Sequence, residues 1–344
     1  VAASGGNSSP VMVTVGQGAA RTGDTSRVGV VEVSSGNYTI DNSGSLNGDY
    51  HGIYSMAGDT AVINHEGALI QGNWDGVNFE GREKASKFDT IEVVGGNASV
   101  TNHGEINGIY TADNLTLTNE GSILAASDSI PSAAKLVLFP FRGGSAVLAQ
   151  GDAEITNSGT ITGENGHGVF AYGSLPLTNN GTIQGNGTGY GEVKVINAEE
   201  PETIAFGTGV VAGNQTTITN NPGGVIAGRL NGISISNNEM ILGRNIAPTP
   251  AVDLSSTIIN HGLISGSEGT GILGSDEQET VNNDNGRITG AVAAIDLAGG
   301  NDIINLGFGS VVQGDIAGGE GTDVVHFTSG SASPSDESNI VHGN

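Results

Sequence analysis

Between residues 155 and 185 the pattern of apolar and polar positions returns: ITNSGTITG (155–163) reappears as LTNNGTIQG (177–185). Each copy holds two short runs in which an apolar residue alternates with a polar one, and the runs meet at Asn-x-Gly. Period-two alternation bounded by turn residues predicts two short β-strands joined by a tight corner. A third apolar run follows, as in GIYSMAG (52–58), GVFAYG (168–173), GVVAGN (209–214) and GILGS (271–275). The unit reads (I/V/L)-T-N-x-G-x-I-x-G, a short turn, G-(I/V)-x-x, and a polar turn into the next copy.

The Asn before the glycine turn tracks the unit along the chain, at Asn42, Asn64, Asn102, Asn119, Asn157, Asn179, Asn220, Asn260, Asn283 and Asn305. Successive gaps are 22, 38, 17, 38, 22, 41, 40, 23 and 22 residues, a base period of 22 with interruptions. The long gaps are normal units carrying extra chain. It is expected near 82–97 after the third strand, near 126–143 after the second, and near 188–206 and 237–254. The short gap arises because NHGEINGIY lacks the turn present in NSGSLNGDYHGIY.

Three short strands cannot bury their own inner faces, but stacked units can, each strand pairing in parallel with its counterpart on the next coil. The expected fold is all-β, a right-handed parallel β-helix with about 22 residues per coil. Dividing the length by the period gives about 15 coils and an axis of ~70 Å at the usual strand spacing. A single domain is expected over 1–327, with 1–30 as an N-terminal cap and 328–344 as a polar tail or linker. The predicted core column of the first strand is Ile40, Ile63, Val100, Leu117, Ile155, Leu177, Ile218, Ile258 and Val281. That of the second is Leu46, Ile70, Ile106, Ile123, Ile161, Ile183, Ile226, Ile264 and Ile288. The marker Asn has two structural uses: its amide can bond the copies above and below, and Asn tolerates a left-handed corner. The Asn-x-Ser/Thr sequons, such as the one at Asn180, follow from the same turn chemistry.

Composition supports many short strands and turns, since 58 Gly stand against 9 Pro and aromatics make up only 4%. Hydrophobic content is 36%, yet Ile, Val and Leu are spread evenly, which argues against a disordered chain. The formal charge of −25, from 11 Lys and Arg against 36 Asp and Glu, repels nucleic acid and anionic membranes and attracts cations. Absence of Cys excludes disulfides, Cys-type zinc sites and thiol catalysis. No apolar run reaches the ~18 residues of a transmembrane helix. The opening VAASGGNSSP has no basic or apolar signal region, as expected after signal-peptide removal or at an arbitrary boundary.

The phrases ITNSGTITG, LTNNGTIQG and IINHGLISG, followed by GGNDIINLGFGSVVQGDIAGGEGTDVVHF (299–327), resemble the repeat style of bacterial autotransporter passengers and related surface adhesins. The resemblance covers residues 30–327. It implies secretion across the outer membrane and display at the cell surface, in adhesion, biofilm or host contact. Such proteins end in a membrane β-barrel, whereas this sequence stops at SPSDESNIVHGN. Tethering would then rest on a barrel absent from it, or export would follow another route.

Candidate chemistry is sparse. GGEGTDVVH (318–326) matches the calcium nonapeptide G-G-x-G-x-D-x-U-x, and GGNDIINL (299–306) matches its second half. Asp302 and Asp323 are therefore candidate Ca²⁺ ligands, although they stand 21 residues apart, one coil, and would stack on one corner. His65, His103 and Glu120 follow marker Asn residues of consecutive coils and could present two imidazoles and a carboxylate to Zn²⁺, or be solvated turn residues. Gly166-His167-Gly168 is similar to the G-H-G of polygalacturonases, but their Asp cluster and basic R-I-K segment are missing, so His167 reads as a turn residue. No G-x-S-x-G or H-E-x-x-H is present.

The stretch SDSIPSAAKLVLFPFRGG (127–144) breaks the pattern most. It either folds back on the helix flank or forms a partner-contact patch with Leu136, Leu138, Phe139, Phe141 and Arg142 as anchors. Trp74 and Tyr50, at a coil corner, could stack on sugar rings. The extra segments near 82–97 and 188–206 are charged and of opposite sign, and read as solvated loops.

Three functional expectations follow. The first is a non-catalytic, surface-displayed or secreted β-helix that contacts host or bacterial surface molecules, glycans or itself, with no nucleic-acid partner. The second is a polysaccharide-active lyase or glycoside hydrolase on the same fold, and the third a structural fibre or surface-layer subunit.

Overall fold

The computed structural model describes residues 2–4, 10–22, 29–48, 51–56, 58–72, 91–93, 95–125, 145–188, 190–193, 202–213, 215–236 and 254–328. Each copy of the repeat folds as the alternation dictates. Strand Ala153–Asn157 buries Ala153, Ile155 and Asn157 and turns Glu154 and Thr156 outward. After the corner, Thr160–Gly163 sends Ile161 inward, and a third strand, Val169–Ala171, closes the coil.

Like strands stack on like. The described strands form three long parallel sheets of 12, 11 and 12 members, built from the first, second and third strand of each unit. Pairing is in register: Ile155 lies on Leu117 and under Leu177, and Ile161 between Ile123 and Ile183. The chain is a parallel β-helix.

Twelve coils are present, not the fifteen expected from dividing length by period, because the extra segments consume residues without adding coils. At ~4.7–4.9 Å per strand the axis is about 50 Å long. Residues 1–30, expected as a cap, already contribute paired strands at Ala2–Ser4, Val11–Val15 and Ala20–Thr22.

The second-strand column is buried as predicted, from Leu46 to Ile288, at no more than 1% exposure. Burying each such side chain contributes ~1.5–3 kcal/mol. In the first-strand column one member was misplaced. Val62 pairs with Ile40 and Val100, whereas Ile63 pairs with Asp41 and Thr101 on the outer face. Because Asn64 points inward, only residues an even number of positions away share its side.

The extra chain expected at 82–97 also needs correction. Ile91–Val93 is a regular third strand paired with Ile53–Ser55 and Ile109–Thr111, so the excursion falls between Leu69–Gly72 and Ile91, before the third strand. The segment near 188–206 contains an antiparallel pair, Tyr190–Val193 with Glu202–Ala205. Residues 126–143 lie outside the described residues, as does 237–254 apart from Leu254.

Candidate functional site

The corner between first and second strands is the most regular feature. Nine Asn side chains, from Asn42 to Asn283, are buried to within 1% and bonded head to tail. Each Nδ2 donates to the Oδ1 of the next, at 2.8–2.9 Å throughout. The same Nδ2 donates to a carbonyl of its own corner and to one on the next coil; for Asn157 these are Gly159 O at 3.2 Å and Thr182 O at 3.3 Å. The ladder therefore runs one way and satisfies a column of buried amides.

Apolar residues end it. Val15 occupies the position below Asn42, and Leu306 the position above Asn283. Asn305, expected as a tenth marker, lies on the outer side and bonds Asn282 at 2.7 Å. The glycine two residues after each Asn is fixed by the same stacking. A Cβ on Gly159 would stand 2.0 Å from Gly121 O, and one on Gly181 2.1 Å from Gly159 O.

A second carboxylate-bearing column lies at the C-terminal end of the stack. Asp302 and Asp323 do fall on one corner, and a third acid, Glu279, precedes them on the coil beneath. The Glu279 N–H donates to Asp302 Oδ1 at 2.7 Å and the Asp302 N–H to Asp323 Oδ1 at 3.0 Å. Ser275 donates its hydroxyl to Glu279 Oε1 at 2.6 Å and its N–H to Oε2 at 3.2 Å. Burial pushes Glu279 up to about 7, against the Ser275 bonds and aided by the neighbouring Asp302 and Glu277 charges. Burial likewise pushes Asp302 up to about 6, against the Glu279 N–H and aided by Asp323. Glu279 escaped the sequence reading because no glycine motif surrounds it, although the acid spacings of 23 and 21 residues match one coil.

The glycines of GGND and GGEGTD have a structural use at this corner. Gly299–Gly300 and Glu320–Gly321 pair in parallel, both Gly300 and Gly321 have positive φ, and a Cβ on Gly321 would overlap Gly300 O. Only glycine fits both demands.

His65, His103 and Glu120 line the Asn corner on consecutive coils. His103 Nδ1 lies 2.9 Å from Glu120 Oε2, but His65 Nε2 turns to Asp41 Oδ1 at 2.7 Å. Both pairs are solvent-exposed. Among the described residues no group of three or more His, Cys, Asp or Glu is placed to hold a metal ion.

His167 lies between the second and third strands of its coil and is buried. Its Nδ1 accepts the Thr208 N–H at 3.2 Å, and Phe170 and Phe206 flank the ring. Burial pulls the imidazole down to about 4, so it is neutral at physiological pH. It sits beside a further apolar cluster. On the outer side of the third sheet, Tyr110, Leu148, Phe170 and Val211 stack in register over four coils, joined by Tyr172, all buried. Single-face periodicity gave no hint of this, since these strands are apolar on both faces.

Tyr50, Trp74, Leu136, Leu138, Phe139, Phe141 and Arg142 lie outside the described residues. The excursions can still be placed by where they leave the stack. Three of the four, following Gly72, Ala125 and Gly185, depart at one corner, between second and third strands. The fourth, after Ser236, leaves between the third strand and the next first strand.

Fold and corners define the class as a parallel β-helix repeat protein with an internal asparagine ladder. No family model, curated protein or solved structure matches the chain. Among the described residues no helix is long and apolar enough to cross a membrane.

Proposed function

We propose that this is a surface-displayed or secreted, non-catalytic β-helix, of the kind autotransporter passengers and related adhesins use, acting in adhesion, biofilm formation or self-association. The observation that carries the reading is the row of excursions. Three segments leave a stiff, internally bonded rod at the same corner, on different coils along its axis. A stack whose stability is a sum over neighbouring coils tolerates such additions, and a rod holds them away from whatever anchors it. The partners are host or bacterial surface molecules, glycans or further copies, contacted through excursions that carry Trp74 and the Leu136–Arg142 run. Charge supports this choice, because −25 overall disfavours polyanions.

The test is a glycan and host-matrix binding screen, with light scattering for self-association. The intact protein is compared with a variant in which 127–143 is replaced by a Gly-Ser turn. The reading expects binding or association by the intact protein that falls at least tenfold in the variant, with thermal unfolding unchanged. Release of reducing ends or unsaturated sugars from a polysaccharide panel by the intact protein would replace it with the enzymatic reading.

A further inference from the structure

Glu279, Asp302 and Asp323 occupy one position in three successive coils, each directly preceding residues that pair across coils: Thr280 with Ile303, and Ile303 with Val324. Glu279 and Asp302 are both fully enclosed, at 0% exposure. The Oδ2 of Asp302 is buried with no hydrogen-bond partner. A buried, ionised oxygen without a donor is costly, and the usual remedy is a cation or a proton.

The charged groups acting on the pair are all acids. On Glu279 they are Asp302 and Glu277, and on Asp302 they are Glu279 and Asp323. Asp276 lies beside Gly299 on the next coil, and the residue paired with Glu279 on the coil beneath is the neutral Ser256. None of the ion pairs among the described residues reaches the column.

A proton on Asp302 Oδ2 removes the charge without costing a hydrogen bond, because Oδ1 still accepts the Glu279 N–H. A proton on Glu279 leaves one oxygen free to accept from Ser275.

We propose that this column is a proton-operated clasp: with Glu279 and Asp302 neutral the last coils hold tightly, and ionisation of both loosens the C-terminal end of the rod. Both carboxyls are raised on folding, from 4.5 to about 7 and from 3.8 to about 6. The folded state therefore holds more protons than the unfolded one across that window, and unfolding releases them. The stabilisation is complete below the unfolded values and is lost as pH rises through about 6 and then about 7. This is opposite in sign to a salt-bridged carboxylate. Each group changes the local opening equilibrium by up to about tenfold per pH unit.

Hydrogen exchange on the full chain at pH 5.5 and pH 8, corrected for intrinsic rates, tests this. The strands Glu279–Asn283 and Ile303–Leu306 are followed, with Ala153–Asn157 in the middle of the stack as reference. The clasp predicts at least a tenfold gain in protection of the two C-terminal strands at pH 5.5, with no matching change in the reference. Asp302→Asn and Glu279→Gln should each be protected at pH 8 and reduce the pH response. If one variant does not fold, the other and the wild-type titration make the same comparison. Protection that is flat with pH or higher at pH 8, or a variant that keeps the full wild-type response, overturns the proposal. So does protection restored at pH 8 by calcium chloride and removed by EDTA, which would make the column a cation site.

Discussion

Changing Asn157 to Asp replaces one NH₂ group by an oxygen in the middle of the amide ladder. In the wild type, Asn157 Oδ1 accepts from Asn119, and its Nδ2 donates to Asn179 Oδ1, Gly159 O and Thr182 O. The carboxylate can keep the first bond. It turns the other three into contacts between oxygens, in a column with 0% exposure at Asn119, Asn157 and Asn179.

A lost buried bond that leaves its partner unsatisfied costs ~1–3 kcal/mol, and an uncompensated buried charge about 3–5. Ionisation dominates, so the expected loss is about 3–5 kcal/mol at pH 7, easing at lower pH as the carboxyl protonates and regains a donor. Asn157→Ala removes the bonds without adding charge and should cost about 2–3 kcal/mol. The control is Asn180→Asp, on the exposed side of the same corner, where Asn221 donates to Asn180 at 2.8 Å; it should cost less than about 1 kcal/mol. Urea denaturation followed by circular dichroism, with hydrogen exchange to locate the loss, measures the series. If Asn157→Asp unfolds at the same urea concentration as Asn180→Asp, the amides are not a buried, one-way ladder.

Two further substitutions probe the stack. Ile161→Asp puts an unpaired charge in the inner column between Ile123 and Ile183 and should destabilise by several kcal/mol in the same denaturation assay; an unchanged midpoint would place residue 161 on the surface. Gly159→Ala sets a methyl 2.0 Å from Gly121 O and should cost at least ~1–3 kcal/mol, whereas Gly16→Ala meets nothing within 4 Å and should be near neutral; equal melting temperatures for the two would mean that the coils do not touch at this corner.

The fold was legible because one chemical requirement recurs every coil. An inward Asn, a glycine that admits the coil beneath and two inward aliphatics leave the same signature wherever they occur. The errors arose where that signature is ambiguous. Val62-Ile63-Asn64 offers two adjacent apolar residues, and alternation alone fits either, but the inward Asn fixes the parity and selects Val62. Asn305-Leu306-Gly307 spells the marker yet is shifted by one, because Ile304 faces the core and Leu306 closes the ladder. Strand Ile91–Val93 was hidden because it rejoins the stack after a long excursion and brings no Asn of its own.

The candidate sites were less legible, since they depend on the third dimension. Asp302 and Asp323 carried a glycine motif that drew attention to them, while Glu279 acquires its character only from the coil that covers it. The in-register outer column of Tyr110, Leu148, Phe170 and Val211 comes from four coils separated by different lengths of extra chain, so no fixed spacing reveals it.

Distances along the rod test the central claim most directly. The chain has no Cys, so pairs of cysteines can be introduced and spin-labelled at outward, in-register positions. Thr116 and Thr280 are separated by five coil steps, and Thr39 and Thr280 by eight. Double electron–electron resonance should give separations near 24 Å and 38 Å, growing linearly with the number of coils at ~4.8 Å per step. Two similar distances, or separations that follow residue number instead of coil number, would contradict the stacked helix.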